Sequence, residues 1–171
     1  LVTALVGIVL MFIFGVITPK EAYDAVRWDV IFMLAGLIPL GIALEKSGAS
    51  ELIASILGKY LANFSVLYVF IGFYIFTTFL TEILSNNASV ILLVPIALDL
   101  ATKLNINPYS MILIIMFAAS TSFLTPVGYK TNTMIFGTGI YKFSDFFRVG
   151  LLLNIILAVA TPLLIINIFG I

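Results

Sequence analysis

Of 171 residues, 63% are hydrophobic and only 9% charged, with eight basic and eight acidic side chains and no net charge. A soluble domain carries roughly 25% charged residues, so a water-facing surface is excluded and lipid is the expected solvent. The balanced charge without a basic block excludes nucleic-acid binding, and the absence of cysteine and histidine excludes disulfides, thiolate or imidazole metal sites and histidine catalysis.

Charge-free runs cover 1–17, 30–44, 60–81, 83–98, 104–129 and 149–171. A membrane-spanning helix needs about 20 mostly apolar residues, and these runs predict an all-α, polytopic, multi-pass integral membrane protein. Residues 1–17 form the first expected helix. The chain starts on Leu1 inside an apolar run, so a fragment of a longer protein is expected. No basic segment precedes that run, so a signal peptide is not expected. Thr18-Pro19-Lys20-Glu21 has the form of a capping box with proline at the first helical position. It opens a short polar helix through Arg27, with Asp24 and Arg27 one turn apart. Trp28 suits the interface, and residues 28–44 are the next expected span, with Pro39 as a kink inside it.

In 45–63, Leu52, Ile53, Ile56, Leu57, Tyr60, Leu61 and then Phe64 fall on one helical stripe, while Glu51, Ser55, Lys59 and Asn63 lie off it. That is the pattern of a helix lying in the membrane surface, and equally of a helix packed on a bundle. Residues 64–84 then run inward, and 88–104 continue after a polar break, with Asp99 and Lys103 one turn apart at the outer end. Residues 109–124 follow Pro108, a second break occupies 125–133, and a short apolar piece reaches Gly139. Lys142, Asp145 and Arg148 mark an interfacial turn before the last span, 149–171, which contains Pro162. Nothing alternates as a membrane barrel would. Lysine and arginine are spread evenly between alternate loops and give no orientation.

The two breaks carry the chemistry. The first, Thr81-Glu82-Ile83-Leu84-Ser85-Asn86-Asn87-Ala88-Ser89, is densely polar between two apolar arms. Interrupted helices survive at membrane depth only where they are buried in protein or line a cavity. A re-entrant hairpin would bring free carbonyls from the first arm, suited to a cation, and free N–H groups from the second, suited to an anion. Asn86 and Asn87 would cap that second arm and offer amides to a ligand. An ordinary exposed turn between two spans has the same polarity. The second break runs from Ser120 to Thr133. Thr125-Pro126 ends one helical piece, Gly128 permits a turn, and Thr131, Asn132 and Thr133 can cap the next. A kinked helix whose hydroxyls bond back to its own carbonyls is the other reading. Glu82 and Lys130 are the charges nearest the breaks, and such charges count as functional candidates. They can pair across the site, or snorkel to water.

These residues resemble the divalent anion:sodium symporters, within the ion transporter superfamily that also holds citrate, arsenite and sodium/proton carriers. Ser85-Asn86-Asn87-Ala88 is similar to that family's Ser-Asn-Thr hairpin motif. Thr125-Pro126 followed by Gly128-Tyr129-Lys130-Thr131-Asn132 is similar to its unwound helix. Gly137-Thr138-Gly139 with Lys142 to Phe146, and Trp28 with Gly36, Pro39, Leu40 and Gly41, extend the likeness over nearly the whole chain. The resemblance implies the second inverted repeat of an elevator-type transporter. Residues 1–63 would be scaffold helices with the interfacial helix. Residues 64–171 would be the transport domain, with a re-entrant hairpin at 64–104, a broken helix at 108–139 and the last span at 149–171. Thr81, Ser85, Asn86 and Thr125 would bind sodium. Ser85, Asn86, Asn87, Thr125, Pro126 and Asn132 would face the substrate, with Glu82 and Lys130 as supporting charges. Asn87 replaces the threonine of the dicarboxylate carriers, and Gly-Tyr-Lys-Thr-Asn departs from their Thr-Pro-Pro-Asn. The added lysine would suit a more charged anion such as sulfate or citrate.

The expected function is sodium-coupled symport of a small anion, a di- or tricarboxylate or sulfate, with sodium as coupling ion and no other metal or cofactor. The implied partners are the lipid bilayer, a missing N-terminal repeat and a second protomer in a homodimer, in a prokaryotic cytoplasmic membrane. The alternative is an ion exchanger of the same superfamily, such as a sodium/proton antiporter, with Glu82 as its titrating group. An intramembrane enzyme is not expected, because no serine has a visible base and the aspartates form no close pair.

Overall fold

The computed structural model describes residues 2–170, and every regular element among them is helical. Leu1 and Ile171, at the ends of the first and last expected helices, lie outside the described residues. The chain divides into two compact units, one through Ala35 and one from Gly36 onward.

In the first unit, α1 (Val2–Ile13) is four residues shorter at its C-terminus than the apolar run, and Gly15 at φ +67° follows it. The turn is left-handed, which glycine adopts without a Cβ penalty. α2 (Pro19–Ala25) has the expected capping box: Glu21 N–H donates to Thr18 Oγ1 at 3.3 Å and Thr18 N–H to Glu21 Oε2 at 2.8 Å. The Thr18 N–H first, and then the Thr18 hydroxyl, which donates to the same Oε2 at 2.8 Å, hold the Glu21 carboxyl below the ordinary range. α2 ends before Arg27, whose guanidinium bonds Asp29 at 2.9 Å, so the expected Asp24–Arg27 turn is replaced by a pair at the start of α3 (Trp28–Lys46). Trp28 lies between Tyr23 and Phe32 in tilted ring contacts, at 5.1 and 6.0 Å between ring centres.

The second unit is built around α7 (Pro108–Ala119), whose Met111, Ile114, Ile115 and Ala118 are fully buried. Around it lie α5 (Val66–Ile83), α6 (Asn86–Leu104) and α9 (Phe143–Phe169), with Phe70, Phe73, Leu93, Leu100, Ala158 and Ile165 filling the core. Outward positions stay apolar, as with Phe76, Phe79, Leu152 and Leu163. An apolar exterior on such helices fits lipid, not water. By length and composition, α3, α5, α6 and α9 can each cross a bilayer.

α4 (Ala49–Leu61) packs on α6 through Ser50, Ala54 and Gly58, a row of small residues spaced one turn apart. Lys103 at the end of α6 reaches Glu51 at 3.6 Å. The apolar stripe read from the sequence faces largely outward, with Leu52, Ile56 and Tyr60 exposed. The helix thus docks on α6 by its small face, as the bundle-packed reading expects, and leaves an apolar face exposed.

In the second unit, three further helix ends differ from expectation. Only Leu84 and Ser85 interrupt α5 and α6, so most of the first polar break is helical. α7 stops at Ala119, five residues early, because Ser120 Oγ and Thr121 Oγ1 donate back to the carbonyls of Met116 and Ala118 at 2.8 Å each. Hydroxyls bonded this way compete with the backbone ladder. The expected interfacial turn at Lys142–Arg148 is continuous with the last span in one 27-residue helix. Asp145 Oδ2 accepts the Lys142 N–H at 2.8 Å and caps its start.

Candidate binding site between the two breaks

The irregular segment 120–129 links α7 to α8 (Lys130–Gly137) and lies against the tip where α5 meets α6. On the α5 side, Thr81 is fully buried in the last turn, and its Oγ1 donates to Asn86 Oδ1 at 2.6 Å and lies 3.3 Å from the Ala119 carbonyl. Ser122 enters the same cluster. Its Oγ is 3.0 Å from Asn86 Oδ1, 3.3 Å from Thr81 Oγ1 and 3.5 Å from the Thr81 carbonyl. Two hydroxyl protons therefore serve a group of five oxygens. A surplus of hard oxygen donors suits a small hard cation.

Beside this cluster, Glu82 reaches across to the second break. Its Oε1 accepts the Leu124 N–H at 2.8 Å, and its Oε2 accepts the Thr125 N–H at 3.0 Å and the Thr125 hydroxyl at 2.7 Å. Thr125 Oγ1 in turn accepts the Gly128 N–H at 3.0 Å. Asn132 braces the segment from α8, its Nδ2 donating to the carbonyls of Ser122 at 2.8 Å and Thr125 at 3.2 Å. The Thr133 hydroxyl bonds the Pro126 carbonyl at 2.7 Å. Deeper in, the Tyr74 hydroxyl donates to Thr121 Oγ1 at 3.2 Å.

Two glycines make the close packing possible. A Cβ at Gly128 would stand 2.6 Å from Glu82 Oε2 and 3.0 Å from Ser122 Cβ. A Cβ at Gly150 of α9 would overlap the Phe123 carbonyl.

Of the residues singled out in the sequence, Thr81, Glu82, Asn86, Thr125 and Asn132 meet in this one network. Ser85 caps α6, its Oγ accepting the Ala88 N–H at 3.2 Å, so the cap is Ser85, and Asn86 and Asn87 sit in the first turn. Tyr129, without a side-chain bond, caps α8 in place of the Thr131-Asn132-Thr133 set. Asn87 and Lys130 are exposed and Pro126 is buried. The sequence reading passed over Ser122 and the Ala119 carbonyl. The run Ser120-Thr121-Ser122 just ahead of a Thr-Pro was the available signal.

A family model described as Citrate transporter matches residues 1–171. The chain belongs to the citrate transporter family. This bears out the resemblance to divalent anion:sodium symporters. A transporter of Synechocystis is 50% identical over 173 residues, covering 99% of this chain and 28% of the relative. Sodium/sulfate cotransporter 2 of Chlamydomonas reinhardtii is 32% identical, covering 82% of this chain and 16% of the relative. The sodium-dependent low-affinity dicarboxylate transporter 1 of Caenorhabditis elegans is 31% identical, covering 80% and 23%. The chain thus spans less than a third of these relatives. Family and helices together make it a membrane protein of a transporter family.

Proposed function

We propose that this chain is the second inverted repeat of a sodium-coupled symporter for a small anion, a sulfate or a di- or tricarboxylate. The observation that carries the reading is the meeting of the two breaks. The oxygens of Thr81, Asn86, Ser122 and Ala119 crowd together where the α6 N-terminus begins. Sodium would be held by those oxygens, with Ser85 and Thr125 at its edge. The anion would sit at the N–H end of α6, where the helix dipole is positive, flanked by Ser85, Asn86, Asn87, Thr125 and Pro126. Bound sodium would make that pocket electrostatically favourable for the anion, which is the physical basis of coupling. The names of the relatives, a sodium/sulfate and a sodium-dependent dicarboxylate carrier, support both partners.

On this reading 64–171 moves as a transport domain against a scaffold that includes 1–63. The N-terminal repeat supplies the other half of the site, and two protomers join through their scaffolds in a prokaryotic cytoplasmic membrane. Uptake by the intact protein in proteoliposomes, with and without a sodium gradient, against sulfate, succinate, citrate and phosphate tests it. Sodium-dependent uptake of one of these anions is expected. Uptake of none, or uptake indifferent to sodium, refutes the reading. Proton-coupled sodium flux abolished by Glu82→Gln would establish the exchanger instead.

A further inference from the structure

We propose that Glu82 is a positioning residue, an internal anion that shapes the second break and fastens it to the hairpin tip. The inference rests on the symport reading for its functional consequence, but its geometry stands on its own. Irregular backbone inside apolar surroundings needs acceptors for its N–H groups. Leu124 is buried, and its N–H has Glu82 Oε1 at 2.8 Å. The Thr125 N–H and hydroxyl both turn to Oε2. The hydroxyl passes the order on by accepting from Gly128 N–H. One carboxylate therefore holds two backbone amides and one hydroxyl and, through that hydroxyl, a third amide along the path from 124 to 128.

Gly128 is the second, independent observation. Its missing Cβ leaves the space that Glu82 Oε2 needs, since a methyl there would approach to 2.6 Å. The sequence thus clears room for the carboxylate from the far side of the break. A consequence for recognition follows. The amides of Leu124 and Thr125, which an incoming anion could otherwise use, are already taken by Glu82. The substrate's negative charge is left to the start of α6 and to the hydroxyl and amide side chains.

A glutamine at 82 can accept through one atom only, and its NH₂ would face an N–H donor, so at least one break amide loses its partner. An alanine at 128 keeps the carboxylate but pushes it off its seat. The test uses the intact protein. Hydrogen–deuterium exchange is measured over 120–130 in wild type, Glu82→Gln, Gly128→Ala and, as the milder change, Thr125→Ser, which keeps the hydroxyl. Exchange over 120–130 should rise roughly ten-fold in the first two variants, and stay near wild type in Thr125→Ser, with α5 and α7 peptides unchanged. In uptake assays the same two variants should raise the anion KM about ten-fold with a smaller change in turnover. Unchanged exchange over 120–130 in both Glu82→Gln and Gly128→Ala overturns the proposal. So does faster exchange with wild-type KM, which would make the contact merely structural. Faster exchange in a protein whose wild type carries no anion would instead sink the symport reading and leave the clamp in place.

Discussion

Gly150 offers a quantitative check on how α9 meets the second break. Alanine at a helix-interior glycine ordinarily gains about 1 kcal/mol. Here the new methyl would overlap the Phe123 carbonyl and sit 3.1 Å from Leu124 N, both backbone groups that cannot swing away. Helix and segment must part by about 1 Å, and overpacking of this kind costs about 1–3 kcal/mol. Parting them also thins the contacts of buried Leu124. A gap of about 0.5–1 Å forfeits a quarter to a half of each atom pair's attraction, roughly 1 kcal/mol for half a buried leucine's contacts. The cost outweighs the propensity gain, leaving Gly150→Ala destabilised by about 1–3 kcal/mol. Gly72 of α5 is the control, because a Cβ there meets nothing within 4 Å. Gly72→Ala should be neutral or stabilising by up to about 1 kcal/mol. Thermal midpoints of the intact protein in detergent compare the two. If Gly150→Ala melts at or above Gly72→Ala, the close packing of α9 on Phe123 is wrong.

Asn86→Ala should abolish sodium-dependent uptake while leaving the elution profile and thermal midpoint near wild type, since it removes the shared acceptor of Thr81 and Ser122. Ser122→Ala should raise the half-saturating sodium concentration about ten-fold with little change in anion KM at saturating sodium. Asn132→Leu removes both bonds that brace the carbonyls of Ser122 and Thr125, and should lower uptake and quicken exchange over 120–130 together. Glu21 is held below the ordinary carboxylate range by Thr18, so its contribution to α2 is present above that range and lost as pH falls through its lowered value. Protection of α2 amides, taken relative to the intrinsic exchange rate at each pH, should therefore fall on acidification in wild type and change little with pH in Glu21→Gln.

The spans were legible because charge is too costly in hydrocarbon to be hidden: the charge-free runs mark the bodies of α3, α5, α6, α7 and α9, while charges such as Asp29, Lys103 and Asp145 fall in their end turns. The capping box at Thr18 was legible because both partners lie within one turn. The end of α7 was not, because Ser120, Thr121 and Ser122 interrupt a run that still reads as apolar, and only the back-bonded hydroxyls release the chain there. The docking face of α4 escaped for a different reason. Periodicity weighs hydrophobicity, and Ser50, Ala54 and Gly58 are chosen for size. Within the site, Thr81, Asn86 and Thr125 stood out by type and place. The partner of Glu82 could not, since Leu124 and Thr125 are about 42 residues away and meet it only through the packing of α5 on α7.

The shortness of α7 sets an electrical depth. Twelve residues rise about 18 Å, against a hydrocarbon layer of about 30 Å. On the proposed reading, with the Asn107 cap at the headgroups, the Ala119 carbonyl would stand well inside the insulating layer. A monovalent cation arriving there would have crossed a fraction of the membrane potential, worth about 2.3 kcal/mol per 100 mV for the full drop. Occupancy of the oxygen cluster would then shift with voltage before any domain moves, and a charge displacement should be recordable on cation addition alone.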